Sequence, residues 1–164
     1  MSAVDAATLS LIDELQLRYI DALDSRDMKA WLETFSAVPE ASYICTTAES
    51  MAAHRAVALI LDDCHGRLED RVTFVNKVWQ GTYQEYQTRH LIQRTRCGLA
   101  APRRFEVRTN FIVAFTPSDS GSADILSTGV YLDQVVLDDA GAKFLSRRAV
   151  TDTSVLPHYI VYPL

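Results

Sequence analysis

Four side chains in the first ninety residues could together carry out acid–base chemistry. Tyr19 and Asp24 lie near the end of an amphipathic N-terminal segment, Tyr43 follows in a short apolar run, and His90 comes later. In one pocket, histidine could act as a base while tyrosine polarises a carbonyl, as in dehydration or isomerisation. The alternative is that both tyrosines are amphipathic core residues and His90 makes a hydrogen bond at an interface, because a lone histidine is more often structural than catalytic. The residues themselves leave both interpretations open.

Other kinds of catalytic site are not indicated. The chain has four histidines and three cysteines, but no H-x-x-x-H or C-x-x-C spacing. Cys64 and His65 are adjacent, so on a helix they would point about 100° apart and would not chelate one ion together. The spacing therefore predicts no metal, Rieske or mononuclear iron site within the chain. There is also no G-x-S-x-G elbow and no glycine-rich phosphate loop.

Composition narrows the class of protein further. The 164 residues suffice for roughly one domain, predicted here as 1–164, and 48% are hydrophobic. A net charge of −5 without a basic block argues against nucleic-acid binding. The longest apolar run, Ala56–Leu61, is far below the roughly 20 residues that cross a bilayer. The first residues lack a signal-peptide pattern and the cysteine count is odd, so we expect a cytoplasmic protein.

Helical periodicity dominates the first half of the chain. The first helix is predicted over Asp5 to about Asp24, with Asp5 or Thr8 as its cap; its apolar stripe is Ile12, Leu15, Tyr19 and Leu23. Asp27 can cap a short second helix in a segment that ends at Pro39. Its apolar stripe is formed by Met28, by either Trp31 or Leu32, and by Phe35. Asp62-Asp63 is predicted to open a third helix with one apolar face of Leu68, Val72, Val75 and Trp79.

Strand periodicity dominates the second half. One short strand is predicted earlier, over Ala41–Thr46, whereas Arg55–Leu61 fits either a buried strand or a buried helix. The later strands are predicted over 87–97, 105–115, 125–137 and 143–152. Helices followed by strands indicate an α+β fold with an antiparallel sheet. In the 105–115 strand the second face also becomes apolar at Ile112 and Ala114, which suggests cover on both sides.

Two further features suggest a subunit of a larger assembly. Arginine outnumbers lysine thirteen to three, and arginine suits interfaces because its planar head pairs with carboxylates; GC-rich coding would also enrich it. Six arginines cluster in two neighbouring predicted strands and the turn between them: Arg89, Arg94, Arg96, Arg103, Arg104 and Arg108. The tail 157–164 is apolar and aromatic, so we expect it to dock on the protein.

A family resemblance connects these segments. Arg18–Asp27, followed by Trp31 and Phe35, resembles the start of the NTF2-like superfamily, whose fold is a helix-lined cone closed by a strongly curved, mostly antiparallel sheet. The later motifs are similar to the small (β) subunit of aromatic-ring-hydroxylating dioxygenases, the Rieske non-haem iron oxygenases. Within that family they look most like the small subunits of oxygenases for aromatic carboxylates, such as salicylate 5-hydroxylase and terephthalate dioxygenase. Those motifs are Leu68–Val72 with Trp79, Tyr86–Ile92, Gly129–Asp133, Ser146–Ser154 and Ile160–Leu164. Ala52–Leu61 departs from the polar pattern expected there.

The resemblance implies a non-catalytic role. In that family the β subunit has no catalytic, cofactor or metal residues, and a larger α subunit holds the Rieske 2Fe–2S cluster and the mononuclear iron. The two associate as α₃β₃ on a trimeric β base. This implies two kinds of partner, the catalytic α subunit and further copies of this chain.

A free-standing NTF2-like dehydratase or isomerase is the alternative. Asp24, Tyr43 and His90 sit in contexts similar to those of scytalone dehydratase, with ketosteroid isomerase as a second comparison. Such a site needs another histidine after Thr128-Gly129, where this sequence has Val130 and Tyr131. We therefore favour the oxygenase subunit, and a cone filled by side chains such as Trp31, Phe35 and Phe111 would exclude the enzyme.

Overall fold

Two N-terminal helices begin at side-chain caps. The computed structural model describes residues 4–164. Helix α1 (Ala6–Asp24) begins where the Asp5 carboxylate accepts a 2.9 Å bond from the Thr8 N–H, and its predicted apolar stripe is buried. Helix α2 (Met28–Leu32) begins in the same way at Asp27, which accepts from the Ala30 N–H. The sequence prediction of both helices and of both aspartate caps is confirmed.

Six strands form one sheet. They are β1 (Ser42–Thr47), β2 (Ile60–Asp62), β3 (Tyr86–Ala101), β4 (Arg104–Pro117), β5 (Asp124–Asp138) and β6 (Gly141–Thr151). Their order is β2-β1-β6-β5-β4-β3; β1 runs parallel to β6 and every other pair is antiparallel. The four long predicted strands are therefore confirmed, each with ends shifted by a few residues.

The segment between β1 and β3 differs most from the prediction. A short helix α3 (Ala48–Ala52) was not predicted. The ambiguous run Arg55–Leu61 is irregular until Ile60, where β2 begins. The third helix does not open at Asp62-Asp63: Asp62 ends β2, and α4 (His65–Thr73) starts three residues after it. Asp62 pairs instead with Tyr43 in the β1–β2 ladder, and its buried carboxylate binds the Arg71 guanidinium with two 3.0 Å bonds. A π-helical turn, Phe74–Val78, continues the helix.

The core lies between the helices and one face of the sheet, called the inner face. Alternate residues of β4 point inward, so Phe111 and Val113 are buried while Ile112 between them is 42% exposed. On the opposite, outer face Ile112 stays exposed, so the described part of the chain does not supply the predicted cover there. The tail docks on the core as predicted, with Val161, Tyr162 and Leu164 buried.

Candidate functional site

The space enclosed by the helices and the inner face is filled by aromatic side chains. Trp31, Phe35 and Phe111 are 0%, 4% and 2% exposed. The Trp31 and Phe35 rings meet edge to face with centroids 5.0 Å apart, and Phe111 stacks on Tyr131 at 4.4 Å. This is the filling that the sequence analysis named as the feature that would exclude a substrate.

Asp24 and His90 form one hydrogen-bonded pair at the edge of this core. Asp24 ends α1, and His90 lies in β3, opposite Val113. The Nδ1–H of His90 donates to Oδ1 of Asp24 at 2.6 Å, because a carboxylate only accepts. The backbone N–H of His90 donates to Oδ2 at 3.0 Å, and the Thr88 hydroxyl to Oδ1 at 2.9 Å. The sequence was therefore right to bring Asp24 and His90 together.

These bonds set the charge state of Asp24. Burial alone would raise the pKa of its carboxyl. The hydrogen bonds and charge of His90, together with the Thr88 bond, outweigh that effect and lower the pKa of Asp24. The pair thus holds a stable carboxylate that joins the end of α1 to β3. The His90 bond is structural, as the alternative expected, but it lies within the chain and not at an interface.

Tyr19 and Tyr43 meet at a different point, around the backbone of Leu164. The Tyr19 hydroxyl donates to the Leu164 carbonyl oxygen at 2.8 Å and the Tyr43 hydroxyl to the same oxygen at 3.2 Å. The Leu164 N–H in turn donates to the Tyr43 hydroxyl at 2.9 Å. Burial raises the pKa of Tyr19 to about 12 and also raises the pKa of Tyr43, so both stay protonated donors.

The four residues therefore do not converge on one substrate space. Within residues 4–164 no hydrogen bond joins the Asp24–His90 pair to the tyrosine hydroxyls, and those hydroxyls are already bonded to Leu164. The Nε2 of His90 is buried without a hydrogen-bond partner in the described structure. At the position where a scytalone-type site needs another histidine, the Tyr131 side chain is buried in the core. The dehydratase or isomerase alternative is not favoured.

A fully buried ion pair, which the sequence analysis did not single out, organises the centre of the core. Arg147 of β6 donates from Nε to Oδ1 of Asp133 at 2.9 Å and from Nη2 to Oδ2 at 2.8 Å, and both side chains are 0% exposed. Its guanidinium lies 4.0–4.1 Å from the ring centroids of Tyr19, Tyr131 and Phe144. Burial disfavours the charged form, but Asp133 raises the pKa of Arg147, which keeps its charge.

A signal for this pair was present in the strand alternation. Asp133 shares its parity in β5 with the buried Tyr131 and Val135, and Arg147 shares its parity in β6 with the buried Ala149. Two opposite charges at inward positions of neighbouring strands predict a buried ion pair. Gln16 of α1 completes the cluster, because its Nε2–H donates to Asp133 at 3.0 Å and its Oε1 accepts from Arg147.

Metal-ligand residues are dispersed. Among residues 4–164 no three His, Cys, Asp or Glu side chains are grouped so as to hold a metal ion. Cys45 is buried in the core, Cys64 directly precedes α4 and Cys97 lies in β3, all as free thiols. The two cysteines and two histidines of a Rieske centre do not come together here. No described helix is long and apolar enough to span a membrane.

Known structures define the class of fold. A protein from Novosphingobium aromaticivorans described as a scytalone dehydratase superposes with a TM-score of 0.67 at 17% identity, over 93% of this chain and 89% of that one. This likeness supports the fold alone, which is the NTF2-like cone predicted from the sequence.

The family follows from the sequence itself. The family described as "Ring hydroxylating beta subunit" matches residues 18–158, so the chain belongs to the β subunits of aromatic-ring-hydroxylating dioxygenases. It is 25% identical to the small subunit of anthranilate 1,2-dioxygenase from Burkholderia cepacia, over 98% of this chain and 96% of that one. A β subunit of terephthalate 1,2-dioxygenase from Comamonas is 23% identical over 94% of this chain and 100% of its own length.

A solved β subunit also matches. The structure of one assigned to an aromatic-ring-hydroxylating dioxygenase of Novosphingobium aromaticivorans superposes with a TM-score of 0.79 at 25% identity, over 91% of this chain and 93% of that chain. The predicted family is thereby confirmed.

Proposed function

We propose that this chain is the non-catalytic, structural subunit of its oxygenase. On this account it holds catalytic α subunits in an α₃β₃ assembly on a trimeric β base, and it has no catalytic, cofactor or metal residues of its own. The observation that carries the proposal is the membership in the β-subunit family over residues 18–158. The chain forms one domain over 1–164 and works in the cytoplasm, where three free thiols stay reduced.

The filled interior supports the non-catalytic role. The groups that could do acid–base chemistry make hydrogen bonds that hold the fold together. Asp24 is bonded to His90, and the hydroxyls of Tyr19 and Tyr43 are bonded to Leu164. A catalytic group needs a reacting atom within hydrogen-bond reach. The interior that a substrate would have to enter contains the buried rings of Trp31, Phe35 and Phe111.

The redox centres are assigned by this proposal to the larger subunit. In multicomponent oxygenases of this family a Rieske cluster supplies electrons and a mononuclear iron activates oxygen. The dispersed cysteines and histidines described above do not fit either centre. The substrate would be an aromatic carboxylate, as the names of the anthranilate and terephthalate enzymes suggest.

Native mass combined with an iron assay tests this function. The affinity-tagged chain is isolated from its own host, and the eluate is weighed intact and assayed for iron. We expect an iron-bearing larger partner in equal stoichiometry, with a mass that fits three copies of each. An iron-free oligomer of this chain alone would contradict the proposal.

A further inference from the structure

Residues 160–164, here called the tail segment, are bonded to the rest of the fold through tyrosine hydroxyls. No strand of the described chain lies beyond Thr151, and residues 152–155, which link β6 to the tail, are exposed. The bonds come from four tyrosines of the body: Tyr19 and Tyr43 bond to Leu164, Tyr83 to Tyr162, and Tyr86 to Val161. The tail segment can therefore leave without breaking a strand ladder, as locally opening segments do.

Hydrogen-bond donors converge on the Leu164 carbonyl oxygen. The hydroxyls of Tyr19 and Tyr43 donate to it at 2.8 and 3.2 Å. The Nε1–H of Trp31 lies beside the Tyr19 hydroxyl and is buried without a hydrogen-bond partner in the described structure. Buried donors are nearly always bonded, so this one marks unused capacity to bind an oxygen atom. We call these three donors the carbonyl site.

Aromatic rings surround the carbonyl site. The Trp31 ring meets that of Tyr43 edge to face, with centroids 5.9 Å apart. The Tyr19 ring meets that of Phe35 in the same way at 6.3 Å. Edge-to-face packing of this kind is also how a further aromatic ring would be held. The site thus combines donors for a carbonyl oxygen with walls that suit an aromatic ring.

We propose that the tail segment occupies, as a built-in ligand, a binding site for a small aromatic carbonyl compound, which binds when the segment opens. The ligand oxygen takes the position of the Leu164 oxygen between Tyr19 and Tyr43. Trp31 then supplies the third donor. Because one position cannot hold both oxygens, the ligand and the tail segment exclude each other.

This site binds without performing chemistry. The Asp24–His90 pair makes no hydrogen bond to the tyrosine hydroxyls of the carbonyl site within residues 4–164. The inference goes beyond the proposed function and does not depend on it, so its failure would leave the assembly role untouched.

A full-length variant with a loosened tail tests the proposal. Tyr162→Ala removes the bond to the Tyr83 hydroxyl and the ring contacts with Tyr83 and Tyr86, and it leaves the three donors in place. Benzamide is titrated into the variant and the wild type, and binding is followed by ligand-observed NMR. We expect the Kd of the variant to be about tenfold lower or less, because a larger fraction of the protein is open.

Two matched substitutions on the Tyr162→Ala background separate the site from general loosening. Tyr43→Phe removes a donor of the carbonyl site and should abolish the gain in affinity. Tyr131→Phe removes a buried hydroxyl that has no partner in the described structure, and it should leave the Kd unchanged. Equal affinity of Tyr162→Ala and wild type, or equal effects of the two tyrosine substitutions, would overturn the proposal.

The wild-type chain provides a second measurement if Tyr162→Ala does not fold. Saturating benzamide should speed hydrogen exchange in residues 160–164 and leave residues 105–115 of β4 unchanged. Unchanged exchange in the tail segment would overturn the proposal. Parallel titration with benzoate shows whether the site prefers the amide or the acid, and failure of both to bind would also overturn it.

Discussion

Arg147 and Asp133 face each other across β6 and β5, and their fully buried side chains are joined by two hydrogen bonds of 2.9 and 2.8 Å. The pair ties the two central strands together, and Gln16 ties α1 to it. The centre of the core is thereby occupied by a charged group enclosed in aromatic rings.

Removing one member of this pair should be severely destabilising. Asp133→Leu leaves the Arg147 charge buried without its partner, and we expect a loss of about 3–5 kcal/mol in the free energy of unfolding, measured by urea denaturation. The double variant Asp133→Leu with Arg147→Met should lose clearly less than the sum of the two single variants. The exposed neighbour Arg148→Met should change stability by no more than about 0.5 kcal/mol. Additive losses would show that the pair is not coupled.

The sequence correctly predicted the helices and strands in which apolar residues recur at one regular spacing along the whole element. Helix α1 and the four long strands carry clear spacing of apolar residues, and local chemistry at Asp5 and Asp27 sets the helix starts. Asp62 was misplaced because its partner Arg71 lies nine positions away on another element. Helix α3 has only five residues and no buried side chain, so it leaves no periodic signal.

The candidate site was predicted only in part, again because some of its contacts join residues that are far apart in the sequence. Asp24 and His90 were paired correctly because their contexts matched a known arrangement. The hydrogen bonds of Tyr19 and Tyr43 to Leu164 depend on where the C-terminal tail lies in the fold. Leu164 is 145 positions from Tyr19 and 121 positions from Tyr43 in the sequence. Hydrophobic periodicity reports burial along one element and carries no information on such distant contacts.

Two glycines allow a matched test of packing. A Cβ on Gly129 would lie 2.1 Å from the Val150 carbonyl oxygen and 2.8 Å from the Phe111 ring. Gly129→Ala should therefore destabilise the protein by several kcal/mol, on the order of 4, or abolish folding. Gly66→Ala in α4 meets nothing within 4 Å and should be neutral or stabilising by up to about 1 kcal/mol. Circular dichroism melts of both variants check this, and a stable Gly129→Ala protein would contradict the strand packing.

Tyr43→Phe should loosen the tail. It removes both the acceptor of the buried Leu164 N–H and one donor to the Leu164 carbonyl, so we expect a loss of about 1–3 kcal/mol. Tyr19→Phe removes one donor and leaves the N–H bonded, so its loss should be smaller. Hydrogen exchange over residues 160–164 should speed up more in the first variant. Equal protection in both variants would show that these hydroxyls do not hold the tail.

The lowered pKa of Asp24 predicts an acid-dependent part of stability. A carboxyl whose folded pKa lies below its ordinary value of 3.8 stabilises the fold fully above that value and loses the contribution as pH falls through the folded pKa. The stability difference between wild type and Asp24→Asn should therefore be larger at pH 7 than at acid pH, and it should shrink below about pH 4. Urea titrations at pH 7, 4 and 3 measure it. A difference that does not shrink would mean that the Asp24 charge is not what stabilises the wild type.

The central claim is that this subunit does no chemistry, and the most direct test is turnover of the assembled oxygenase carrying His90→Gln. The variant and wild-type complexes are matched for native mass and iron content, and product formation per iron is measured with an aromatic carboxylate that the wild-type complex hydroxylates. We expect equal rates per iron, because His90 serves the fold through Asp24. A large fall in rate with assembly and iron content unchanged would contradict the account and assign His90 a part in catalysis.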